Sequence, residues 1–301
     1  MADNTIILGC MYFSSLCGTE MYYYELAKAY AKMGYRVVVV TNPSIGQLQE
    51  LANQENASQM FKVVHMNSNI GPYMVHAKCV ICSHVDIIKK LLQAKRMYKP
   101  DVKFITVHHS EIYTQEQPYI DSGISQYVGV RPEIVKMLSH DYKLENASLI
   151  WNPFDTIRFK ASEVKTFDKK KTNRILFCGA VNETRLKCIE IFADACKTLG
   201  WKLIVVGEDL LNCHDRLEKT FEGTLEYYHP TSHIDDFVKN CDATCGVFIG
   251  RTTIEGWLMG KPAFVFDINS KCEPIGFEFM EVPDDLNKFD SLKVAENINK
   301  L

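Results

Sequence analysis

The side chains best suited to chemistry stand directly behind short apolar runs. Residues 11–20 (MYFSSLCGTE) follow the run Thr5–Cys10 and offer Ser14, Ser15, Gly18 and Thr19. Where a strand gives way to a helix, such hydroxyls and free N–H groups favour oxygen-rich or anionic ligands. One glycine near the helix start, not the three of a dinucleotide fingerprint, gives little support to NAD or FAD. Ordinary capping competes for Thr19, and first-turn charge for Glu20. Residues 179–187 (GAVNETRLK) bring Arg185 and Lys187 to another helix start. Cations there gain nothing from the helix dipole, so a bound anion accounts for them better than helix stability does. A diphosphate fits, since Arg forks onto its oxygens and Lys supplies a point charge.

Residues 250–267 (GRTTIEGWLMGKPAFVFD) are the most informative stretch. Arg251, Thr252 and Thr253 form an anion cradle ahead of a helix, and Glu255 in its first turn can accept two ribose hydroxyls. Gly260–Lys261–Pro262 is a helix stop signal and needs no functional reading. Residues 107–111 (VHHSE) bear His108, His109 and Glu111. Adjacent residues of an extended segment point to opposite faces, so one histidine at most lines a ligand site and a two-histidine metal site is not expected.

These loops need rigid elements behind them. Strands are expected at Thr5–Cys10, Arg36–Thr41, Phe61–Met66, Cys79–Ser83, Phe104–Val107, Gln126–Val130 and Leu149–Trp151, with helices over Glu20–Lys32 and Asp86–Tyr98. Lys160–Asn173 is polar and aperiodic and reads as a linker. The pattern then restarts with strands at Arg174–Cys178, Lys202–Val206, Thr244–Ile249 and a last one at Ala263–Asp267. Apolar runs separated by helices indicate βαβ units and parallel sheets covered on both faces. The expectation is α/β: two Rossmann-like, doubly wound domains facing a cleft, over residues 1–160 and 174–301, joined by 161–173. No long final helix after Phe289 is expected to return to the first domain.

With 301 residues, 34 basic and 37 acidic side chains and a net charge of -3, the chain is no polycation, which argues against indiscriminate nucleic-acid binding. Its 11 cysteines are irregularly spaced, several within apolar runs, as expected of reduced core thiols. The amino terminus lacks a basic, signal-like region, and no run is long enough for a transmembrane segment. A cytoplasmic setting is the expectation. The helix with Lys89, Lys90, Lys95, Arg96 and Lys99 is either a solvated crossover helix or a contact for a membrane surface or DNA.

Four segments together resemble a known family. Gly18–Thr19–Glu20 with ELAKAYAKMGYRVVVVT looks like the opening of retaining GT-B glycosyltransferases of glycosyltransferase family 4. Trp151–Lys160 (WNPFDTIRFK) resembles that family's "N-G-[IV]-D-x-x-x-F" segment, Gly179–Lys187 its "G-R-x…K-G" phosphate loop, and Arg251–Pro262 its "E-[AG]-x-x-x-G-x-P" helix. The resemblance implies sugar transfer from a UDP- or GDP-sugar to a hydroxyl acceptor, with retained configuration and no cofactor or obligate metal. Lys187, with Arg185, would meet the phosphates, aided by Gly179 and Arg251–Thr253, while Glu255 would hold the ribose. From the first domain, Gly18, Thr19, His108 and His109 would meet the donor, and Ser14, Ser15 and Glu111 the acceptor.

The chain departs from the pattern at Ala180, where Arg is usual, at Pro153, where Gly is usual, and at Val247, where a first glutamate stands eight residues before Glu255. Acceptors open to this reading are a glycan, a lipid-linked sugar, a small molecule or a hydroxymethylated DNA base, the last used by some bacteriophage enzymes of this fold. The alternatives are a catalytically degenerate nucleotide-sugar-binding module and a GT-B-like epimerase.

Overall fold

Runs of buried β-branched residues build two largely parallel sheets, each in its own unit of chain. The computed structural model describes residues 4–42, 46–110, 117–161, 168, 170, 172–269 and 271–301. The first unit takes Met1–Phe154 and Asn287–Leu301, and the second takes Asp155–Leu286.

The first unit runs β1 (Thr5–Tyr12), α1 (Gly18–Lys32), β2 (Arg36–Asn42), α2 (Gln47–Gln54), β3 (Phe61–His65), α3 (Gly71–Met74), β4 (Ala77–Cys82), α4 (Val85–Tyr98), β5 (Lys103–His108), β6 (Gln126–Gly129), α5 (Pro132–His140) and β7 (Ala147–Leu149). Its sheet has the order β3-β2-β1-β4-β5-β6-β7, with every pairing parallel. RVVVVTN of β2 is buried at its five central positions, as a strand covered on both faces requires. Residues Met21–Tyr30 of α1 are buried throughout, and the Tyr22–Tyr24 run packs in the core. Beneath α4, Gly9 is obligatory: a Cβ there would lie 2.6 Å from Leu91 Cδ1.

Helix α4 engages part of its basic charge within its own unit. Buried Lys95 donates to the carbonyls of Val102 (2.7 Å) and Gly123 (2.9 Å), and Arg96 pairs with Asp121 at 2.6 Å. Lys89 lies over the Tyr119 ring. These contacts suit a crossover helix better than a continuous polyanion-binding stripe.

The second unit runs β8 (Arg174–Cys178), α6 (Glu183–Leu199), β9 (Lys202–Val206), α7 (His214–Thr220), β10 (Leu225–Tyr228), α8 (Ile234–Lys239), β11 (Ala243–Val247), α9 (Arg251–Leu258), β12 (Ala263–Ile268) and β13 (Pro274–Met280). The order is β10-β9-β8-β11-β12-β13, parallel except for the antiparallel β12–β13 pair. Asn182 caps α6 by accepting the Arg185 N–H at 2.9 Å. Buried Lys261 donates to the carbonyls of Lys239 and Cys241, so the lysine of the stop signal closes the end of α8.

Three expectations change. The strand ending at Asp267 is followed by β13, so it is not the last. A final helix, α10 (Ser291–Lys300), exists and belongs to the first unit. Its Val294, Ala295 and Ile298 are fully buried in that unit's core, and Tyr30 donates to the Ala295 carbonyl. The boundary also moves: Asp155–Ala161 packs with the second unit, through the 2.8 Å Arg158–Asp235 ion pair and the Ala161 N–H bonded to the Leu258 carbonyl. Most of the expected linker (residues 162–167, 169 and 171) lies outside the described residues.

Candidate functional site

In open α/β sheets ligands settle beyond the carboxyl ends of the strands, at the point where strand order reverses. In the second unit that point lies between β8 and β11. The loop after β8 starts at Gly179, whose φ of +149° favours glycine. Its carbonyl lies so close to Gly207, behind β9, that a Cβ on Gly207 would come within 2.1 Å of the oxygen. Arg185 folds back over this turn, its Nε side against Gly179 and its Nη1 donating to the Ala180 carbonyl at 3.0 Å. Opposite stands the start of α9, capped by extended Gly250 without a side-chain bond. The first N–H groups of a helix have no acceptor within it.

Thr252 ties the two loops together by donating to the Cys178 carbonyl at 3.0 Å, while Thr253 Oγ1 reaches the Phe248 carbonyl at 3.4 Å. Both hydroxyls therefore hold backbone, leaving the N–H groups of α9 as the donors of the cradle. Arg251 pairs with Glu255 at 3.0 Å, their side chains 14% and 6% exposed. Because α9 starts at Arg251, Glu255 falls in the second turn, not the first. A cation at a helix start opposes the macrodipole, so Arg251 is placed against helix stability.

Cys178 registers this convergence. Burial and the Glu255 charge push its thiol up to about 12, while the Thr252 hydroxyl, Arg185 and Arg251 pull the other way. The structure thus brings Gly179, Arg185, Arg251, Thr252 and Glu255 to one crevice. It does not bring Lys187 there: two residues along α6 from Arg185, it pairs with Glu273 at 3.7 Å in solvent.

In the first unit the order reverses between β1 and β4. Gly18 and Thr19 open α1, whose cap is Cys17 rather than Thr19. The Ser14 carbonyl accepts the Leu48 N–H, and Ser15 donates to Glu20 at 2.9 Å. Burial raises the Glu20 carboxyl above its ordinary range, against the pull of its own N–H and Ser15. The two histidines separate as an extended segment requires. His108 is buried, stacked on Tyr127 and 3.2 Å from Thr106 Oγ1. His109 is half-buried, 3.1 Å from Ser83 Oγ and edge-on to Tyr22. Burial, with His84, His108 and Arg131 nearby, holds His109 well below the usual imidazole range. Glu111 lies outside the described residues.

Sequence reasoning passed over His84. It follows β4 in the strand-end position that drew attention to the histidines after β5, and the tripeptide CSH was the available signal. Among the described residues, no group of three His, Cys, Asp or Glu side chains is disposed to hold a metal ion, and no helix is long and apolar enough to cross a membrane.

Solved structures share this architecture. HepE of Anabaena, solved with UDP-glucose, matches with a TM-score of 0.67 and 14% identity over 98% of this chain and 89% of its own. A glycosyltransferase from Rickettsia africae matches with a TM-score of 0.65 and 15% identity over 98% and 87%. An alpha-glucosyltransferase solved with UDP and a DNA 13-mer containing a HMU base matches with a TM-score of 0.60 and 10% identity over 87% and 79%. No protein-family profile and no curated protein sequence matches the chain. The likeness shows the fold: α/β, with two doubly wound sheets of the GT-B type.

Proposed function

We propose that the chain is a nucleotide-sugar-dependent glycosyltransferase, retaining and metal-independent, that moves a sugar from a UDP- or GDP-sugar to a hydroxyl acceptor. The observation that carries this reading is the meeting of Arg185, Arg251, Glu255 and the open start of α9 around Cys178. As the bond from anomeric carbon to phosphate breaks, negative charge grows on the leaving oxygen. Fixed guanidinium and N–H donors stabilise that charge more in the transition state than in the ground state. Arg185 and the α9 N–H groups take that role. Glu255 accepts the ribose hydroxyls, and Arg251, already its partner, bridges ribose and phosphate. Lys187 contributes at longer range. His109, a neutral imidazole, positions the sugar rather than taking a proton from the acceptor.

The test is incubation with UDP-, GDP- and ADP-sugars. Release of nucleoside diphosphate, even to water, is expected; tight binding without turnover would make the chain a degenerate binding module. Proton NMR of the product reads retention, and activity in excess chelator reads metal independence. A second acceptor, hydroxymethylated DNA, draws support from the neighbour solved with such DNA. The burial of Lys95 and the pairing of Arg96 with Asp121 weigh against it.

A further inference from the structure

We propose that the crevice between β1 and β4 of the first unit binds the acceptor and selects an uncharged, polyhydroxylated one, with the His84 Nε2–H donating to an acceptor oxygen and the Glu20 carboxylate accepting from an acceptor hydroxyl. The inference rests on the glycosyl-transfer reading and adds the acceptor class.

The geometry starts with His84. Its backbone adopts φ 68° and ψ 127°, a strained region for a non-glycine residue. The ring shows what holds it there. Nδ1 accepts the backbone N–H of Met11, at the end of β1, at 3.2 Å. A nitrogen that accepts carries no proton, so the proton sits on Nε2 and the ring is neutral. Burial also lowers its proton affinity. The result is an oriented neutral donor at the switch point, and no described residue bonds to Nε2.

Glu20 supplies the complement. One oxygen takes the Ser15 hydroxyl, and no described cation pairs with the carboxylate. It stands in the first turn of α1, the helix that follows β1, while His84 holds the Met11 N–H, so both groups address the end of β1. The loop between them and α1, residues 11–20, contains hydroxyls and a carboxylate but neither Lys nor Arg. Arg131, near His109, is buried at the start of α5. A phosphate or a DNA backbone placed in this crevice would face a carboxylate and a neutral ring. A sugar presents alternating donors and acceptors and meets both.

The test uses the full chain and the nucleotide sugar that it hydrolyses. Neutral methyl glycosides and disaccharides are offered beside glucose 6-phosphate and a DNA duplex containing hydroxymethyluracil. Transfer to a neutral probe is expected. His84→Gly, which relaxes the strained backbone, and Glu20→Gln should each raise the acceptor KM by about five- to tenfold, the worth of one hydrogen bond, with the donor KM unchanged. Nucleoside diphosphate release with transfer only to the phosphorylated or DNA probe, or to no neutral probe, overturns the acceptor class and leaves glycosyl transfer standing. An unchanged acceptor KM in both variants removes the two residues from the site. Absence of nucleotide release from every donor overturns both readings together.

Discussion

The crevices at the two switch points share a plan and differ in charge. In each, the strand just past the reversal is followed by a non-glycine residue at positive φ: His84 (68°) behind β4 and Phe248 (59°) behind β11. In each, a side chain from the far side grips the backbone across the reversal: His84 holds the Met11 N–H, and Thr252 holds the Cys178 carbonyl. The second crevice is ionic, with two guanidinium groups and a buried carboxylate. The first is built of imidazoles, hydroxyls and a carboxylate that no described cation pairs with. The same scaffold thus offers one site suited to stabilising a developing anion and another suited to holding an uncharged partner.

The sharpest way to break this comparison is to remove charge from the ionic crevice. Arg251→Ala leaves Glu255 buried and uncompensated and should cost about 3–5 kcal/mol in denaturant unfolding, while Arg251→Met with Glu255→Leu should recover most of it. Next is catalysis: Arg185→Ala should lower kcat by about 100-fold with little change in donor KM, and Lys187→Ala, a solvated pair, should stay within about twofold. Steady-state kinetics separates the two residues.

The acid response should differ between the units as well. Burial alone would raise the Asp209 carboxyl, but bonds from the His214 ring and N–H and from Cys213 outweigh it and hold it at about 2, below the ordinary 3.8. A depressed folded value means stability present above 3.8 and lost as pH falls toward 2; Asp209→Asn should remove that acid limb in thermal melts. Glu20 runs the other way. Its raised folded value means stability present at low pH and lost as pH rises through it, so Glu20→Gln should melt higher than the parent at pH 7 and alike near pH 3. The smallest effect is expected at His84→Gly, within about 1 kcal/mol of the parent, because strain relief offsets the lost bond to Met11.

Much of the architecture was written in local patterns. RVVVVT and RILFC could hardly be anything but buried strands, and MYYYELAKAY reads as a helix, though the burial of Met21–Tyr30 throughout goes beyond one amphipathic face. Three motif loops landed at carboxyl strand ends because that is where α/β sheets put their loops. What stayed hidden depended on partners distant in sequence. Nothing in RTTIEG says that Arg251 will neutralise Glu255, or that the threonine hydroxyls will be spent on Cys178 and Phe248. Arg185 and Lys187 look alike on paper, yet two residues of helix separate a side chain folded over Gly179 from one facing Glu273. Helix α10 was missed because four apolar positions in SLKVAENINK, one of them the exposed Leu292, make a weak stripe, although Asp290, which caps it by accepting the Leu292 and Lys293 N–H groups, was a readable start signal.

That last helix orders events during synthesis. Because Val294, Ala295 and Ile298 belong to the same core as Ile6, that core is complete only once this stretch has left the ribosome. The second unit, continuous from Asp155 to Leu286, has all its strands available earlier. Translation therefore delivers the residues that complete the first core only after the whole second unit, and damage near residue 295 would be felt in the first unit.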